Sequence, residues 1–74
     1  MSEQANPGAI ARVTEVIASS PSSFEDAIRN GIGRACETLE NIEGVWVKSQ
    51  KLELKNGQIS AYRVVLKLTF VLKS

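Results

Sequence analysis

The stretch from Ile59 to Lys73 alternates between apolar and polar side chains, which predicts a β-strand with one buried face. One side of this strand would carry only apolar or aromatic residues, namely Tyr62, Val64, Leu66, Leu68, Phe70 and Leu72. The other side would carry most of the polar ones, namely Arg63, Val65, Lys67, Thr69, Val71 and Lys73. We therefore expect a sheet with one covered face and one face open to solvent.

A hairpin turn is predicted just before this strand. Asn56-Gly57 is the typical pair for a two-residue turn in which both central residues need a positive φ. The turn sets a register with Val47 opposite Leu66, Val45 opposite Leu68, Trp46 opposite Lys67 and Gln50 opposite Arg63. In this register Trp46, the only tryptophan, lies on the open face together with Gln50 and Arg63.

The first half of the chain predicts a strand and then a helix. Ile10 to Ala18 is rich in β-branched residues, and Ser19 to Ser23 interrupts it with a proline. The helix can begin with either of two capping pairs, Ser22 with Glu25 or Ser23 with Asp26, and we expect it to reach about Asn41.

An apolar stripe marks the side of the helix that should pack on the sheet: Phe24, Ile28, Ile32, Ala35, Leu39 and Ile42. Gly31 and Gly33 would each cost about 1 kcal/mol relative to alanine in a helix. We expect that cost to be offset by close approach of the sheet or of a second subunit. Gly44 is expected to end the connection before a second strand, Val45 to Lys55.

The predicted fold class is α+β: a β-α-β-β unit in which a three-stranded antiparallel sheet packs on one helix. The polar stretch 1–9 is expected to be a flexible tail, and residues 10–74 the folded domain. The uncovered sheet face would be half apolar and half charged, with Trp46, Lys48, Gln50, Leu52, Leu54, Ile59, Arg63, Val65, Lys67 and Val71. Such a face favours association with other copies.

Composition excludes several classes of function. The chain has 74 residues, a net charge of +1, one cysteine and no histidine. An internal disulfide, a Cys/His zinc site and a histidine-based catalytic triad are therefore excluded, and the lone thiol suits a reducing cytoplasm. No apolar run is long enough to span a bilayer, and no basic patch points to nucleic acid. Self-association is the expected source of additional stability for so short a chain.

Trp46 is the residue that most needs an explanation. It could pack between subunits, stack on a flat aromatic ligand, or be an ordinary surface aromatic. Arg63 and Gln50 would supply a guanidinium and an amide for the polar edge of such a ligand or for a phosphate. The alternative for Arg63 is an ion pair with a carboxylate of a neighbouring subunit.

Two features of the helix have plain interpretations. Cys36 is expected to be a small residue that packs against the helix's neighbours. Glu37, Glu40 and Glu43 are expected to form a solvated face. The alternative is a site for calcium or another cation, built from several copies around a symmetry axis.

Three sequence motifs accompany the predicted β-α-β-β order. The helix starts with Ser-Ser-Pro-Ser-Ser-Phe-Glu-Asp-Ala-Ile and ends with Leu39-Glu40-Asn41-Ile42. The closing strand reads Tyr62-Arg63-Val64-Val65-Leu66-Lys67-Leu68-Thr69-Phe70. In this order and spacing, over about Ala11 to Leu72, the chain resembles the dodecin family. The family implies a hollow homododecamer with the sheet inside, no enzymatic activity, and binding and storage of flavins (FMN, FAD or riboflavin).

The resemblance also implies which residues form the flavin site. The family's stacking tryptophan falls at Gly44, and its strand-three glutamine falls at Arg63. Together with Trp46 and Gln50, which the predicted register places on the same face, Gly44 and Arg63 are the candidate site residues. A subset of dodecins with arginine in strand three has been linked to calcium. The prediction is a flavin-storage dodecin. The alternative is an assembly that binds no flavin. Trp46 and Arg63 would then close its pocket, and a metal ion such as calcium would be its ligand.

Overall fold

The computed structural model describes residues 10–72. It contains β1 (Ile10–Ser20), α1 (Phe24–Thr38), β2 (Ile42–Lys55) and β3 (Gln58–Leu72). All strand pairs are antiparallel and β3 lies between β1 and β2. The predicted α+β class and β-α-β-β order are confirmed. The predicted tail, residues 1–9, and Lys73 lie outside the described residues.

The hairpin turn forms as predicted. Asn56 and Gly57 have φ values of 55° and 77°, so both adopt the left-handed conformation that the two-residue turn requires. Three of the predicted pairs are present: Val47 with Leu66, Val45 with Leu68, and Trp46 with Lys67.

The fourth predicted pair is wrong because the register shifts twice between the turn and Trp46. It shifts first between Glu53 and Leu54, and a β-bulge of β2 between Val47 and Ser49 restores it. Between the two shifts, Gln50 pairs with Val64 and Arg63 pairs with Lys51. An extra residue reverses the alternation of side chains beyond it, which places Gln50, Leu52 and Leu54 on the side of the helix rather than on the open face. The segment from Lys48 to Lys51 has no apolar side chain whose burial would hold the predicted register.

The helix begins at the second of the two predicted caps. Ser23 accepts a 2.9 Å hydrogen bond from the backbone N–H of Asp26. The other predicted cap, Ser22, instead donates its own N–H to Ser20 Oγ at 2.9 Å. The Ser20 hydroxyl is buried and donates in turn to Asp26 Oδ2 at 2.6 Å, which ties the end of β1 to the first helical turn.

The helix ends three residues before the predicted Asn41, and the next strand begins earlier than predicted. Leu39 leaves the helix with extended backbone angles, and its N–H donates to the carbonyl of Ala35 at 2.8 Å. Asn41 turns the chain with a φ of 61°, a conformation that asparagine tolerates better than most residues. Gly44 therefore lies inside β2 and does not end the connection.

The core lies between α1 and the two strands β1 and β3. Its buried apolar side chains are Ala27, Ala35, Val64, Leu66 and Leu68. The buried helix positions Ala27, Gly31 and Ala35 are small, so the helix lies close to the sheet, and Ile32 of the predicted stripe is only half-buried. A Cβ at Gly31 would lie 2.8 Å from Leu66 Cδ1. The expected close approach is thus confirmed there for the sheet, whereas a Cβ at Gly33 would meet nothing within 4 Å.

We call the side of the sheet under α1 the covered face and the opposite side the open face. On β3 the covered face carries Tyr62, Val64, Leu66 and Leu68, and the open face carries Arg63, Val65, Lys67 and Thr69. β1 ends where Ser20 pairs with Tyr62, so the rest of the β2–β3 hairpin extends beyond it as two strands. The described chain is accordingly elongated, at 52 × 24 × 14 Å.

Candidate functional site

Trp46 is the most prominent residue of the open face. It lies on the edge strand β2, opposite Lys67 on β3, and 73% of its surface is exposed. Glu15 on β1 pairs with the other side of Lys67 and completes a row across the three strands. The row places an aromatic plane, an ammonium group and a carboxylate side by side on one surface.

An ion pair bridges the two edge strands beside Trp46. Lys48 Nζ donates to Glu15 Oε2 at 2.9 Å, and about half of each side chain is exposed. The hydrogen bond from Lys48 and the charge of its ammonium hold the pKa of Glu15 below its usual value, and the charge of Lys67 adds to the effect. The pair holds the Lys48 ammonium over the open face, on the strand that also carries Trp46.

Arg63 also lies on the open face, but its ion pair is within the chain. Its Nη1 is 3.6 Å from Glu53 Oε2, and Lys51 Nζ is 3.5 Å from the same oxygen. Among residues 10–72, the enclosed Nε of Arg63 has no hydrogen-bond partner. The β2 bulge produces this cluster, because it puts Lys51 and Glu53 on the face that the predicted register gave to Gln50.

Gly44 lies on the open face two residues before Trp46 and pairs with Thr69. Thr69 donates its hydroxyl to the carbonyl oxygen of Gly44 at 3.3 Å. A Cβ at Gly44 would lie only 2.9 Å from that hydroxyl oxygen. The place that the family resemblance gives to an aromatic ring is thus bordered by the Thr69 side chain.

The structure brings two of the four predicted site residues together. Gly44 and Trp46 share a face at a separation of about 6 to 7 Å along the strand. Arg63 is on that face but about 13 Å along β3 from Lys67, and Gln50 is on the covered face. The sequence reasoning placed Lys48 and Thr69 on the open face, but it missed Glu15 and did not use the contact between Thr69 and Gly44. The predicted register, which is correct at this position, already pairs Thr69 with Gly44.

The charged side chains of the open face form two groups. Lys48 and Lys67 lie nearest to Trp46, together with the carboxylate of Glu15. Lys51 and Arg63 lie about 13 Å away along the strands and share the carboxylate of Glu53. An exposed indole beside ammonium groups is chemically suited to a flat aromatic ligand that carries negative charge.

The predicted cysteine and carboxylate positions on and after the helix are exposed and form no binding site within the described residues. Cys36 is exposed, so the prediction that it packs against the helix's neighbours is wrong for the chain itself. Glu37, Glu40 and Glu43 are exposed as well. Within residues 10–72 no group of three acidic or cysteine side chains is arranged to hold a metal ion. No helix in the same range is long and apolar enough to cross a membrane.

Comparison with known proteins places these features in a family. The family model described as Dodecin matches residues 10–73. The dodecin of Streptomyces davaonensis is 37% identical with a TM-score of 0.84, and the match covers 90% of this chain and 98% of that chain. The dodecin of Streptomyces coelicolor is 34% identical with a TM-score of 0.85, covering 90% and 96%.

A calcium-chelating relative matches as well. The calcium dodecin of Mycobacterium tuberculosis, described as having a novel calcium-binding site, is 25% identical with a TM-score of 0.77. That match covers 86% of this chain and 91% of that chain. The chain matches no curated protein.

Proposed function

Because the chain belongs to the dodecin family, we propose that it is a non-enzymatic protein that binds and stores flavin inside a hollow homododecamer. The observation that carries this proposal is Trp46, a 73% exposed indole on the open face of the sheet. Trp46 is the most exposed of the large apolar side chains of the described chain, and an aromatic ring left in solvent is typical of a surface that a ligand or a partner covers.

The surroundings of Trp46 support a flavin as that ligand. Stacking between an aromatic side chain and a heteroaromatic ring contributes about 1 to 3 kcal/mol per ring in other systems. Lys67, the cross-strand partner of Trp46, and Lys48, two residues further along β2, provide positive charge for a phosphate of FMN or FAD. Gly44 has no side chain on which a ring could stack. The flavin ring would therefore stack on Trp46, two residues further along β2.

Assembly into a closed shell supports the same proposal. The buried core of the described chain is small, and large apolar side chains are exposed on both faces: Val13, Ile17 and Trp46 on the open face, and Val47, Leu52, Leu54 and Ile59 elsewhere. A symmetric homododecamer would cover these residues and place the open faces inside. A cytoplasmic location is part of the proposal, because an exposed lone cysteine suits a reducing compartment.

Titration with FMN and riboflavin tests the proposal directly. The flavin's fluorescence and that of Trp46, the only tryptophan, should fall together as the complex forms. Light scattering of the same sample should give about twelve times the 8.1 kDa chain mass. Trp46→Ala should weaken flavin binding by at least about tenfold, which corresponds to about 1.4 kcal/mol.

Leu54→Ala is a matched control for this titration. Leu54 is a large apolar residue, 63% exposed, that lies on the other side of the sheet from Trp46. Provided that light scattering shows the same oligomer as for the natural protein, this variant should bind flavin as the natural protein does. If Trp46→Ala leaves flavin binding unchanged while the oligomer persists, Trp46 is an interface residue and the stacking proposal is wrong.

A second candidate function is a shell that binds no flavin. Two features favour it: Gly44 lacks the stacking ring, and Arg63 replaces a neutral amide with a cation already held near Glu53. In that case Trp46 would be covered by a neighbouring subunit. Calcium would be the ligand to test, by calorimetric titration, with a site formed from carboxylates of several copies. Colourless protein that does not quench added flavin would favour this candidate.

A further inference from the structure

The contact between Gly44 and Thr69 limits which side chains fit at position 44. Thr69 Oγ1 lies 2.9 Å from the position of a Cβ at Gly44, closer than carbon and oxygen atoms pack without displacement. The same hydroxyl donates to the Gly44 carbonyl at 3.3 Å, which holds the side chain in this rotamer. Gly44 is only half-exposed although it has no side chain, in agreement with a neighbour that covers it.

Thr69 cannot move aside easily. A β-branched residue has two heavy atoms on Cβ, so two of its three staggered rotamers keep either the hydroxyl or the methyl at the contested place. The third rotamer would give up the hydrogen bond to the Gly44 carbonyl. Moving the backbone instead would disturb the pairing of Gly44 on the edge strand β2 with Thr69 on the central strand β3.

We propose that Thr69 is a specificity-determining residue of the open face, because its side chain keeps position 44 bare and so makes Trp46 the plane on which an aromatic ligand stacks. This inference rests on the proposed flavin function for its ligand. Its steric part concerns only Gly44 and Thr69, and can be tested without any flavin.

Thermal unfolding of paired variants tests the steric part. Gly44→Ala should lower the Tm by about 4 °C or more, a size typical of a loss near 1 kcal/mol in a domain of this length. In a Thr69→Ala background, which removes both γ atoms, the same change should no longer lower the Tm. In a Thr69→Val background the loss should be smaller than in the natural chain, because the rotamer that clears position 44 no longer gives up a hydrogen bond.

These melts need one protein concentration throughout, because the stability of an oligomer depends on it. No loss from Gly44→Ala in the natural background would overturn the inference. A loss that persists in the Thr69→Ala background would overturn it too, since the obstacle at position 44 would then be something other than Thr69.

Titration with FMN then tests the consequence for the ligand. Gly44→Trp combined with Thr69→Ala should bind FMN at least about tenfold more tightly than Thr69→Ala alone, because it adds a second stacking plane. Gly44→Trp in the natural background should show a clearly smaller gain. Equal gains in the two backgrounds would overturn the role of Thr69.

If the natural protein and all variants fail to bind FMN, the proposed flavin function is wrong. The melts alone then decide whether Thr69 closes position 44. The two failures are therefore distinguishable.

Discussion

Adjacent residues of β3 belong to two very different surfaces. Val64, Leu66 and Leu68 have no exposed surface beneath the helix. Val65, Lys67 and Thr69 alternate with them on the open face, where ion pairs and an exposed indole take the place of a core. One strand thus supplies the centre of the core and the centre of the candidate site.

In this chain of 74 residues, one face of the sheet stabilises the fold and the other carries the candidate binding site. The covered face uses close apolar packing, which is where most of the free energy of folding arises. The open face uses half-exposed ion pairs such as Glu15 with Lys48, which contribute little to stability because solvent screens them. Its residues are therefore free to vary with the ligand or partner without loss of the fold.

The largest expected effect comes from breaking the covered face. Leu66→Ala removes a fully buried side chain at the centre of the core and should lower the free energy of unfolding by about 2 to 5 kcal/mol. Lys67→Ala, on the adjacent residue, should lower it by about 0.5 kcal/mol or less. Denaturant unfolding of the two variants measures the difference. Equal losses would mean that the two faces of β3 are not energetically distinct.

A smaller effect is expected from the helix glycines. Gly31→Ala puts a Cβ 2.8 Å from Leu66 Cδ1, so overpacking of about 1 to 3 kcal/mol should exceed the gain of about 1 kcal/mol in helix propensity. Gly33→Ala meets nothing within 4 Å and should raise the free energy of unfolding by about 0.5 to 1 kcal/mol.

Thermal melts of the two glycine variants should therefore shift in opposite directions. Gly33→Ser is a useful third variant, because it adds a Cβ with less gain in helix propensity. A loss of stability in Gly33→Ala would contradict the prediction and would place a second subunit against that surface of the helix.

The division into two faces could be predicted from the sequence. The alternation from Ile59 to Leu72 and the Asn56-Gly57 turn were enough, because burial of Leu66 and Leu68 penalises any other register near them. Gly31 could be predicted as a point of close approach for a similar reason, since a glycine inside a helix has a cost that packing must offset.

The detail of the open face could not be predicted in the same way. Lys48 to Lys51 is a polar run, so the bulge that moves Gln50 to the covered face carries no hydrophobic signal. On the helix, the predicted stripe contained Gly31 and Ala35 but missed the buried Ala27, because a search for large apolar residues overlooks an alanine. What covers Trp46 depends on other molecules, and a single chain does not encode it locally.

The smallest expected effect concerns the pH dependence of the open face. Lys48 lowers the pKa of Glu15, so the ionised carboxylate favours the folded state. This contribution is fully present above the ordinary value of 4.5 and is lost as the pH falls through the lowered pKa in the folded protein. Lys48→Gln should therefore be slightly less stable than the natural protein at pH 7, and the difference in stability should disappear toward pH 3.

NMR titration of the Glu15 carboxyl tests the ion pair directly. The pKa of Glu15 should be higher in Lys48→Gln than in the natural chain, whereas the control Lys51→Gln should leave the pKa of Glu15 unchanged. An unchanged Glu15 pKa in Lys48→Gln would show that the pair is too mobile in solution to act, and that the open face is even less constrained than its geometry indicates.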